Sequence, residues 1–511
     1  MYYITKIGDE FIRSLKIWEF KSADPKPDMH YFGDSPLLSA GGYYEKRHGD
    51  KHFVLNVNVG TWCFLSPEEY QILKAADNIH YSELQNRFPE IKNEDLEELI
   101  FHLYVRNIIA IDNDYFIGET LFSDGPVRTI GPLFIIEPTK RCNLSCKYCF
   151  ADCTGEKQPS MTKNDANRII ELIFDTDFDY LTIEFTGGET LLEFDFIKYF
   201  VKELNKKRRS SSKHIELALQ TNATLMDEEK LNYLLENNIQ FGFSLDGNEK
   251  NNDATRQYSN GKGTYRDIVK AIRLVQSKNQ SVGIISVLTN KNSTEYIENM
   301  KAYKELGING VKVNPIYSGG RAEDNWSDLE ISDRQILETQ TRYLDYFEKE
   351  EQPVIEENIS YMVSNISTCV RNYRCVISGC GAGENNFTFA PDGNIYPCAR
   401  YQDDEKYIIG NINDKDIRLQ ELYKKSDLIL AMRSRKTEKI EKCKACIYKR
   451  FCEGDCSLSA YEAHENWNSP HPRCDYYKGM YDMLFEHISR NENLPQKMNP
   501  MLSIVNLKKI G

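Results

Sequence analysis

Residues 131 to 330 alternate between short apolar runs and longer amphipathic stretches. Between the runs, segments such as NDANRIIELIFD and YRDIVKAIRLVQ space their apolar residues as helices do. Near-continuous apolar strands that alternate with helices are typical of a parallel sheet, and six strands favour a partial (β/α)6 TIM barrel in an α/β fold. The six apolar runs are LFIIEP, LTIEFTGGE, IELALQTN, FGFSLDG, VGIISVLTN and VKVNPIY.

Polar and glycine-containing segments follow these predicted strands. TGGE, QTN, SLDG, LTN and NPIY each stand at the end of an apolar run, and a cysteine-rich loop follows the first run. Ligands of parallel α/β folds bind at the carboxyl ends of the strands. The pattern therefore predicts a binding site on this rim.

Residues 50 to 115 show a different arrangement. KHFVLNVNVG alternates as a half-buried strand does, and Ser66, Pro67 and Glu69 form the capping signal of a helix. NEDLEELIFHLYVRN predicts a second helix and IIAID a closing strand. This order resembles a winged-helix fold, so we expect a winged-helix-like domain within residues 1–120; a packing appendage is the alternative.

The rest of the chain divides at its cysteines. Residues 331–368 are predicted to form a helical connector after the barrel of residues 131–330, and residues 369–480 a cysteine-rich domain. A helix follows Cys474 in the sequence YYKGMYDMLFEHISRN. The remaining residues, 481–511, form a C-terminal tail whose polar end is expected to fray.

Composition limits the function classes. The 511 residues suffice for several domains, and 41% hydrophobic and 28% charged residues are typical of a soluble globular protein. No signal-peptide pattern or long apolar span occurs, which predicts a cytoplasmic protein with no membrane partner. A net charge of −13 argues against nucleic-acid binding. The 14 cysteines, without a secretory signal, indicate metal binding rather than disulfides.

The segment TKRCNLSCKYCFADC concentrates thiols in one loop. Cys142, Cys146 and Cys149 stand in a C-x3-C-x2-C array, and Cys153 follows. A structural zinc site with Cys153 as fourth ligand is one interpretation. The other is a [4Fe–4S] cluster with three protein ligands and one open iron, which suits a loop on a ligand-binding rim.

C-x3-C-x-Tyr-C after a first barrel strand, with GGE after the second, resembles the radical S-adenosylmethionine (SAM) enzymes. The resemblance implies that Cys142, Cys146 and Cys149 bind a cluster whose free iron is chelated by SAM. It further implies reductive cleavage of SAM to a 5′-deoxyadenosyl radical, which abstracts a hydrogen atom from the substrate.

The same resemblance implies SAM-contacting positions. Tyr148 matches an aromatic residue beside the adenine, and Tyr317 a late-strand backbone contact to the adenine. The glycines of GGE permit close approach of the methionine amino group. The chain has Thr190 where the family often has proline, a small change in turn rigidity. The full set of implied SAM-binding residues is Tyr148, Gly187, Gly188, Glu189 (to the ammonium), Ser244 (to the ribose), Arg256 (to the carboxylate) and Tyr317.

A second set of cysteines lies in the C-terminal third. Zinc-ribbon binding is one interpretation of the C-x2-C and C-x3-C pairs. After a radical SAM barrel, however, the array and the preceding GNIYPC from Gly393 resemble a SPASM domain, which implies two auxiliary [4Fe–4S] clusters and three clusters in all. The implied ligands are Cys375, Cys380, Cys398 and Cys456 for the first cluster, and Cys443, Cys446, Cys452 and Cys474 for the second.

Three cysteines stay outside these sets. Cys369 could replace Cys375, or that position of the first auxiliary cluster could stay open for substrate. Cys63 is expected to be a buried free thiol. Cys153 has no assigned role.

Radical SAM/SPASM enzymes mostly modify peptides or proteins, and the front unit resembles the leader-peptide recognition element of maturases of ribosomally made peptides. The resemblance implies a maturase that holds a precursor peptide by its leader and forms a thioether or carbon–carbon cross-link. An electron donor such as flavodoxin or ferredoxin is the second implied partner.

Two alternatives remain. An anaerobic sulfatase maturase, which makes formylglycine, has a catalytic aspartate after the cysteine that Cys398 matches, whereas this chain has Ala399. A zinc-bearing peptide-binding protein with an inert barrel is the alternative from another class. The sequence names no catalytic base, since Asp246 is either that base or a turn former.

Overall fold

The computed structural model of the 511-residue chain describes residues 37–115, 131–153, 158–367, 381–383, 386–401 and 404–499. Among the described residues, no helix is both long enough and apolar enough to span a bilayer.

The N-terminal unit combines two small sheets with three helices. Ser66 caps the first helix through a capping box with Glu69, as predicted. Strands β2, β3 and β4 form one antiparallel sheet, whereas β1 pairs with β5 and β6 in another. The elements are β1 (Leu37–Ala40), β2 (Tyr44–His48), β3 (Lys51–Asn56), β4 (Thr61–Leu65), α1 (Pro67–Ala75), β5 (Ile79–His80), α2 (Tyr81–Arg87), α3 (Asn93–Val105) and β6 (Ile109–Ile111).

The predicted strand, helices and closing strand of this unit are present as β3, α1, α3 and β6. Helix α2 and strands β1, β2, β4 and β5 are additional, and each is short. Cys63 lies buried in the core of this unit, as expected of a free thiol. The winged-helix description stays a prediction.

The barrel unit contains the six predicted strands and the helices between them. Each strand pairs in parallel with the next one along the chain. The elements are β7 (Leu133–Ile136), α4 (Lys163–Phe174), β8 (Tyr180–Phe185), a 3-10 turn (Thr190–Glu193), α5 (Phe194–Arg208), β9 (His214–Thr221), α6 (Glu228–Glu236), β10 (Ile239–Ser244), α7 (Glu249–Thr255), α8 (Tyr265–Ser277), β11 (Gly283–Leu288), α9 (Tyr296–Glu305), β12 (Gly310–Pro315), α10 (Arg321–Asp324) and α11 (Trp326–Leu329).

This parallel sheet confirms the partial barrel, and it extends further at both edges. A short strand, β13 (Ile355–Glu356), pairs in parallel with β12. At the other edge β14 (Asn386–Phe389) pairs in parallel with β7, so the cysteine-rich unit continues the barrel sheet. The six strand ends therefore form one rim, with the C-terminal unit joined to it.

The connector and the C-terminal unit are mainly helical. After α12 (Asp333–Lys349) and β13, the elements are α13 (Glu357–Ser367), β14, β15 (Asn394–Tyr396), 3-10 turns at Ala399–Tyr401 and Glu405–Tyr407, β16 (Gly410–Asn411), α14 (Leu419–Lys425), α15 (Asp427–Arg433), a 3-10 turn (Thr437–Lys439), α16 (Glu441–Lys444), α17 (Lys449–Cys452), α18 (Ser457–His464), α19 (Cys474–Arg490) and α20 (Leu494–Met498).

The last helices of the described chain pack against the N-terminal unit. Phe485 of α19 packs against Phe53 of β3 with a ring-centroid distance of 4.4 Å. Trp62 of β4 donates from its indole Nε1 to the Ile366 carbonyl of α13 at 2.6 Å. Helix α19 crosses the predicted boundary at residue 480, and Leu494 and Met498 of α20 are fully buried. The tail therefore belongs to the core up to residue 499, and its predicted fraying lies outside the described residues.

Glu356 in β13 gives the fold a pH dependence. Its buried carboxylate accepts hydrogen bonds from the backbone N–H of Val313 at 2.9 Å and of Ile359 at 2.7 Å. Burial nevertheless raises the pKa of Glu356 from 4.5 to about 7. Between these two values the folded protein keeps a proton that the unfolded chain has lost, so the contribution of Glu356 to stability falls as the pH rises, by about 3 kcal/mol in total.

We expect Glu356→Gln to remove this contribution. The measurement is the free energy of unfolding in urea at pH 5 and at pH 8, under anaerobic conditions. From pH 5 to pH 8 the free energy of unfolding of the native chain should fall by about 3 kcal/mol more than that of the variant. Glu351→Gln, at an exposed position, is the control. An unchanged pH dependence in Glu356→Gln would show that Glu356 does not titrate in this range.

Candidate functional site

The thiol loop leaves β7 at the rim and is held by the chain that follows α7. The Ser145 N–H donates to the Gln257 carbonyl at 2.7 Å, and the Lys147 N–H donates to the Thr255 carbonyl at 2.9 Å. This pairing places the loop beside the end of β10, as a rim site requires.

The three predicted cluster ligands are neighbours, with Cys146 buried and Cys142 and Cys149 partly exposed. Burial, together with the charges of Glu189, Cys146 and Cys149, raises the pKa of Cys142 to about 12. Burial also raises the pKa of Cys146 to about 11. Cys142 and Cys146 resist ionisation and become thiolates most readily with a metal centre, whereas the pKa of Cys149 is already lowered. This donor set fits a cluster held by three cysteines.

Cys153 lies beside this set. It is 3% exposed, and a hydrogen bond from its thiol lowers the pKa of Cys149. The same hydrogen bond and burial raise the pKa of Cys153. A fourth thiol thus lies next to the predicted cluster ligand Cys149.

The GGE turn packs directly on the thiol loop. The Gly188 N–H donates to the Thr139 carbonyl at 3.0 Å, and the Glu189 N–H donates to the Arg141 carbonyl at 2.8 Å. A Cβ atom on Gly188 would lie 2.1 Å from the Arg141 oxygen, and Gly187 has a φ of +117°. Glycine is therefore needed here for contact between two loops, apart from any approach of a ligand.

Glu189 is fully buried behind this turn. Its carboxylate accepts from the Leu191 N–H at 2.9 Å, from the Thr221 hydroxyl at 2.5 Å and from the Asn222 N–H at 2.8 Å. Burial raises the pKa of Glu189, and these hydrogen bonds oppose the rise. A carboxylate has about four acceptor positions, so one is left for a further donor such as an ammonium group.

Tyr148, Arg256 and Asp246 form one buried network. The Arg256 Nη2 donates to the Tyr148 hydroxyl at 2.6 Å, and that hydroxyl donates to Asp246. The Arg256 Nε lies 3.6 Å from an Asp246 oxygen, and its Nη1 lies 3.9 Å from the Cys146 sulfur. The structure thus brings two predicted SAM-binding residues to a predicted cluster ligand, while Ser244 is half-buried at the end of β10.

Asp246 has more partners than a turn former needs. It is fully buried, and it accepts from the Val287 N–H at 2.9 Å and from the Thr255 hydroxyl at 3.3 Å, in addition to Tyr148. These bonds tie β10, β11 and the thiol loop together. Asp246 is therefore an anchor of the rim.

Arg321 is a site residue that the sequence reasoning missed. Its backbone N–H donates to the Cys149 carbonyl, and its side chain donates to the carbonyls of Cys146 and Cys153, each at 3.0 Å. Gly320 before it has a φ of +52°, and a Cβ there would lie 2.5 Å from the Phe150 oxygen. The GGR sequence after the last barrel strand was the available signal.

Tyr317 lies between the rim and the C-terminal unit. Its ring centroid is 5.9 Å from that of Phe150 and 4.0 Å from the guanidinium carbon of Arg400. Burial raises the pKa of Tyr317 to about 12, and the Arg400 charge opposes this rise. The predicted backbone contact to adenine stays a prediction.

The described C-terminal cysteines lie in two places, and their assignment to two clusters stays a prediction. Arg400 lies 3.5 Å from the Cys456 sulfur, and negative charge on Cys456 and Cys398 raises its pKa. At the other place, burial and the charges of Cys474 and Cys446 raise the pKa of Cys443 to about 11. Cys452 lies near Tyr477, one turn along α19 from Cys474, and Cys369, Cys375 and Cys380 lie outside the described residues.

Two family descriptions match the chain. Residues 136–303 match the radical SAM superfamily, and residues 380–447 match SPASM, an iron–sulfur cluster-binding domain. The first match contains the thiol loop, GGE, Ser244 and Arg256. The second begins at Cys380 and contains Cys398, Cys443 and Cys446.

Three relatives illustrate the range of similar proteins. An uncharacterized protein of Methanocaldococcus jannaschii is 38% identical over 35% of this chain and 60% of its own length. The cysteine-type anaerobic sulfatase-maturating enzyme of Clostridium novyi is 25% identical over 68% of this chain and 94% of its own. The antilisterial bacteriocin subtilosin biosynthesis protein AlbA of Bacillus subtilis is 25% identical over 54% of this chain and 56% of its own. This chain thus spans under two thirds of the first and the third relative.

Two solved structures share the fold. Native anSMEcpe with bound AdoMet (S-adenosylmethionine) has a TM-score of 0.62 and 20% identity, covering 71% of this chain and 100% of its own. Streptococcus suis SuiB bound to the precursor peptide SuiA has a TM-score of 0.51 and 18% identity, covering 86% of this chain and 100% of its own.

The two domain matches decide between the zinc and cluster interpretations of the cysteine spacing. A radical SAM domain carries a [4Fe–4S] cluster and uses SAM, and a SPASM domain carries auxiliary clusters. The zinc readings and the inert barrel are therefore set aside. The chain is an enzyme with a radical SAM domain followed by an iron–sulfur cluster-binding SPASM domain.

Proposed function

We propose that this enzyme is a peptide maturase that cross-links a ribosomally made precursor peptide after holding its leader. The N-terminal unit of residues 37–115 carries the proposal. The anSMEcpe structure covers 71% of this chain, whereas the peptide-bound SuiB structure covers 86%, although each aligns over its full length. The larger overlap with a precursor-peptide enzyme supports a peptide-holding role for the additional part of this chain.

The rim residues supply the SAM site in this proposal. Cys142, Cys146 and Cys149 hold the cluster, and the remaining acceptor position of Glu189 takes the methionyl ammonium. Arg256, whose charge Asp246 balances, takes the carboxylate. When bound, the cluster and SAM supply a radical that abstracts hydrogen. The further positions proposed from the family are Tyr148, Gly187, Gly188, Ser244 and Tyr317.

The two C-terminal cysteine sets hold two auxiliary clusters in this proposal, as the sequence resemblance assigns them. Four thiols of each set are needed, and the structure supports the grouping of Cys398 with Cys456 and of Cys443 with Cys446 and Cys474. The proposed domains are residues 1–120, 131–330, 331–368 and 369–480, and residues 481–499 pack with them. A one-electron donor of the flavodoxin or ferredoxin class and a cytoplasmic location complete it.

Sulfatase maturation is the second candidate function. It is favoured by the TM-score of 0.62 to anSMEcpe and by the relative from Clostridium novyi, which aligns over 94% of its length. Against it stands Ala399 where those enzymes are expected to have an aspartate. The guanidinium of Arg400, rather than a carboxylate, lies beside Cys456 at this place.

The test begins with metal content. After anaerobic purification and reconstitution, about twelve irons per chain are expected for three clusters, and Cys146→Ala should lose about four of them. About four irons together with zinc would contradict the auxiliary-cluster part of the proposal.

Peptide mass then separates the two functions. The reconstituted enzyme is incubated with SAM, a reductant and either the short precursor peptides encoded beside its gene or a peptide with the target cysteine of a sulfatase. Loss of two hydrogens with sulfur retained is expected from a precursor peptide. Loss of sulfur from the sulfatase peptide would overturn the proposal, and Cys146→Ala should leave both masses unchanged.

A further inference from the structure

A basic segment surrounds the second C-terminal cysteine set in an otherwise acidic protein. Residues 433–450 contain eight lysines and arginines against two glutamates, a net charge of +6, whereas the whole chain carries −13. The residues that expose this charge to solvent, which we call the basic surface, are Arg433, Lys436, Lys439, Lys442 and Lys444.

The basic surface is built around the cysteines themselves. Lys436 precedes the 3-10 turn that leads into α16, and Lys439 is the last residue of that turn. Cys443 follows directly in α16, where its N–H donates to the Ile440 carbonyl at 2.8 Å. Lys442 reaches Asp475, the residue after Cys474, at 2.9 Å. Burial raises the pKa of Cys474, and the neighbouring charges of Lys442 and Lys478 oppose this rise. Positive charge thus lies on both sides of this cysteine set.

The cysteines at this place are near solvent. Cys446 and Cys474 are partly exposed, and Cys443 is 8% exposed. A redox centre held here would lie close to the surface. Proteins exchange electrons through small, transient and often electrostatic interfaces, so a near-surface centre ringed by charge suits such an encounter.

The ordinary explanation of a charged run is a solvated face with internal ion pairs. It accounts for Lys442 with Asp475 and for Lys444 with Glu441. It does not account for Lys436 and Lys439, which have no carboxylate partner within 4 Å in the described part of the chain. Unneutralised charge of one sign steers a partner of the opposite sign.

We propose that the basic surface docks an acidic one-electron carrier protein beside Cys443, Cys446 and Cys474. The proposal rests on the proposed function for the presence of a cluster at these cysteines. Each productive encounter oxidises the carrier by one electron and reduces the enzyme by one, and no bond is made or broken. An acidic peptide, RNA or an anionic membrane would be attracted by the same charge, but none of them accounts for the coincidence of the charge with a near-surface cysteine set.

The chain offers a matched control surface. Lys206 and Arg209 are exposed at the end of α5, near the start of β9 and therefore at the opposite end of the barrel strands from the rim. They lie in another basic run, KKRR, which contains no cysteine. Reversing two charges there changes the net charge of the protein by the same amount as reversing two charges of the basic surface.

The experiment compares Lys436→Glu/Lys439→Glu with Lys206→Glu/Arg209→Glu in the reconstituted holoenzyme. Binding of an acidic flavodoxin is measured by titration calorimetry at several salt concentrations, and iron content is measured for each variant. We expect the basic-surface variant to bind flavodoxin at least tenfold more weakly at low salt with unchanged iron, and with a smaller salt dependence. The control variant should bind within twofold of the native enzyme.

A second readout follows reduction of the enzyme by rapid mixing. The basic-surface variant should be reduced at least tenfold more slowly by photoreduced flavodoxin, but at the native rate by photoreduced 5-deazariboflavin, a small uncharged reductant. Equal weakening in both charge variants would overturn the proposal, because the effect would then be one of net charge.

The same charge variants test whether another partner binds the basic surface. The proposal is overturned if the basic-surface variant keeps flavodoxin binding but loses binding to transfer RNA, to phosphatidylglycerol vesicles or to the precursor peptide. A failure of the proposed function would give a different result: the precursor peptide would stay unmodified, while flavodoxin binding would still depend on the basic surface.

Discussion

Replacing Gly188 by alanine is expected to reduce SAM cleavage by about 100-fold or more, the effect of displacing a reacting geometry by about 1 Å. The added Cβ would lie 2.1 Å from the Arg141 oxygen and 2.7 Å from the Arg141 carbonyl carbon. Both are backbone atoms of the loop that carries Cys142, Cys146 and Cys149. Rotation of a side chain therefore cannot relieve the clash. The loop or the GGE turn must move, and Glu189 moves with the turn.

The measurement is formation of 5′-deoxyadenosine by the reconstituted enzyme under anaerobic conditions, together with its iron content. Gly283→Ala is the matched control, because Gly283 in β11 has no atom within 4 Å of an added Cβ. The control should keep at least half of the native rate. Native cleavage by Gly188→Ala would show that the two loops are not packed as described.

Sequence periodicity predicted the barrel because the physical cause of each strand is local. The runs that became β7 to β12 each bury apolar residues against the helices that cover the sheet, although β9 alternates between buried and more exposed positions. Cys142, Cys146 and Cys149 could likewise be found from their spacing, since one short loop carries all three ligands. The position of GGE and SLDG on the rim followed from their place at the carboxyl ends of parallel strands.

The contacts that hold the site together could not be read in the same way. Arg321 reaches the Cys146 carbonyl from 175 positions away, and Asp246 meets Tyr148 across 98 positions. Neither pair has a sequence period or a local motif, since each depends on how the strands are ordered in the sheet. Similarly, nothing in the isolated pattern of β3 indicates that Phe53 packs on Phe485 near the other end of the chain.

Asp246 is a site residue whose role depends on such long-range contacts. The sequence left it as a base or a turn former, whereas the structure buries it completely beside Arg256 at 3.6 Å. A buried guanidinium without a balancing carboxylate is strongly unfavourable, because neither water nor another charge compensates it. Asp246 is thus a positioning residue for Arg256 and Tyr148, and its loss should be visible in stability before any chemistry occurs.

We expect Asp246→Asn to lower the free energy of unfolding by about 3 to 5 kcal/mol, the usual result of removing one partner of a buried ion pair. The asparagine keeps the shape and can still accept from the Val287 N–H, but it leaves the Arg256 charge unbalanced. Urea unfolding under anaerobic conditions measures the loss. Asp195→Asn, whose side chain is 97% exposed, is the control and should change stability by less than about 0.5 kcal/mol.

The double variant Asp246→Asn/Arg256→Gln separates charge balance from catalysis. Removing both charges should recover much of the lost stability, because no unpaired buried charge remains. It should not recover SAM binding, measured by equilibrium dialysis, because Arg256 is proposed to hold the SAM carboxylate. If Asp246 were a catalytic base instead, Asp246→Asn would unfold at the native urea concentration and bind SAM normally while cleaving no substrate C–H bond. Recovery of stability without recovery of SAM binding would therefore assign Asp246 to holding Arg256, and Arg256 to holding SAM.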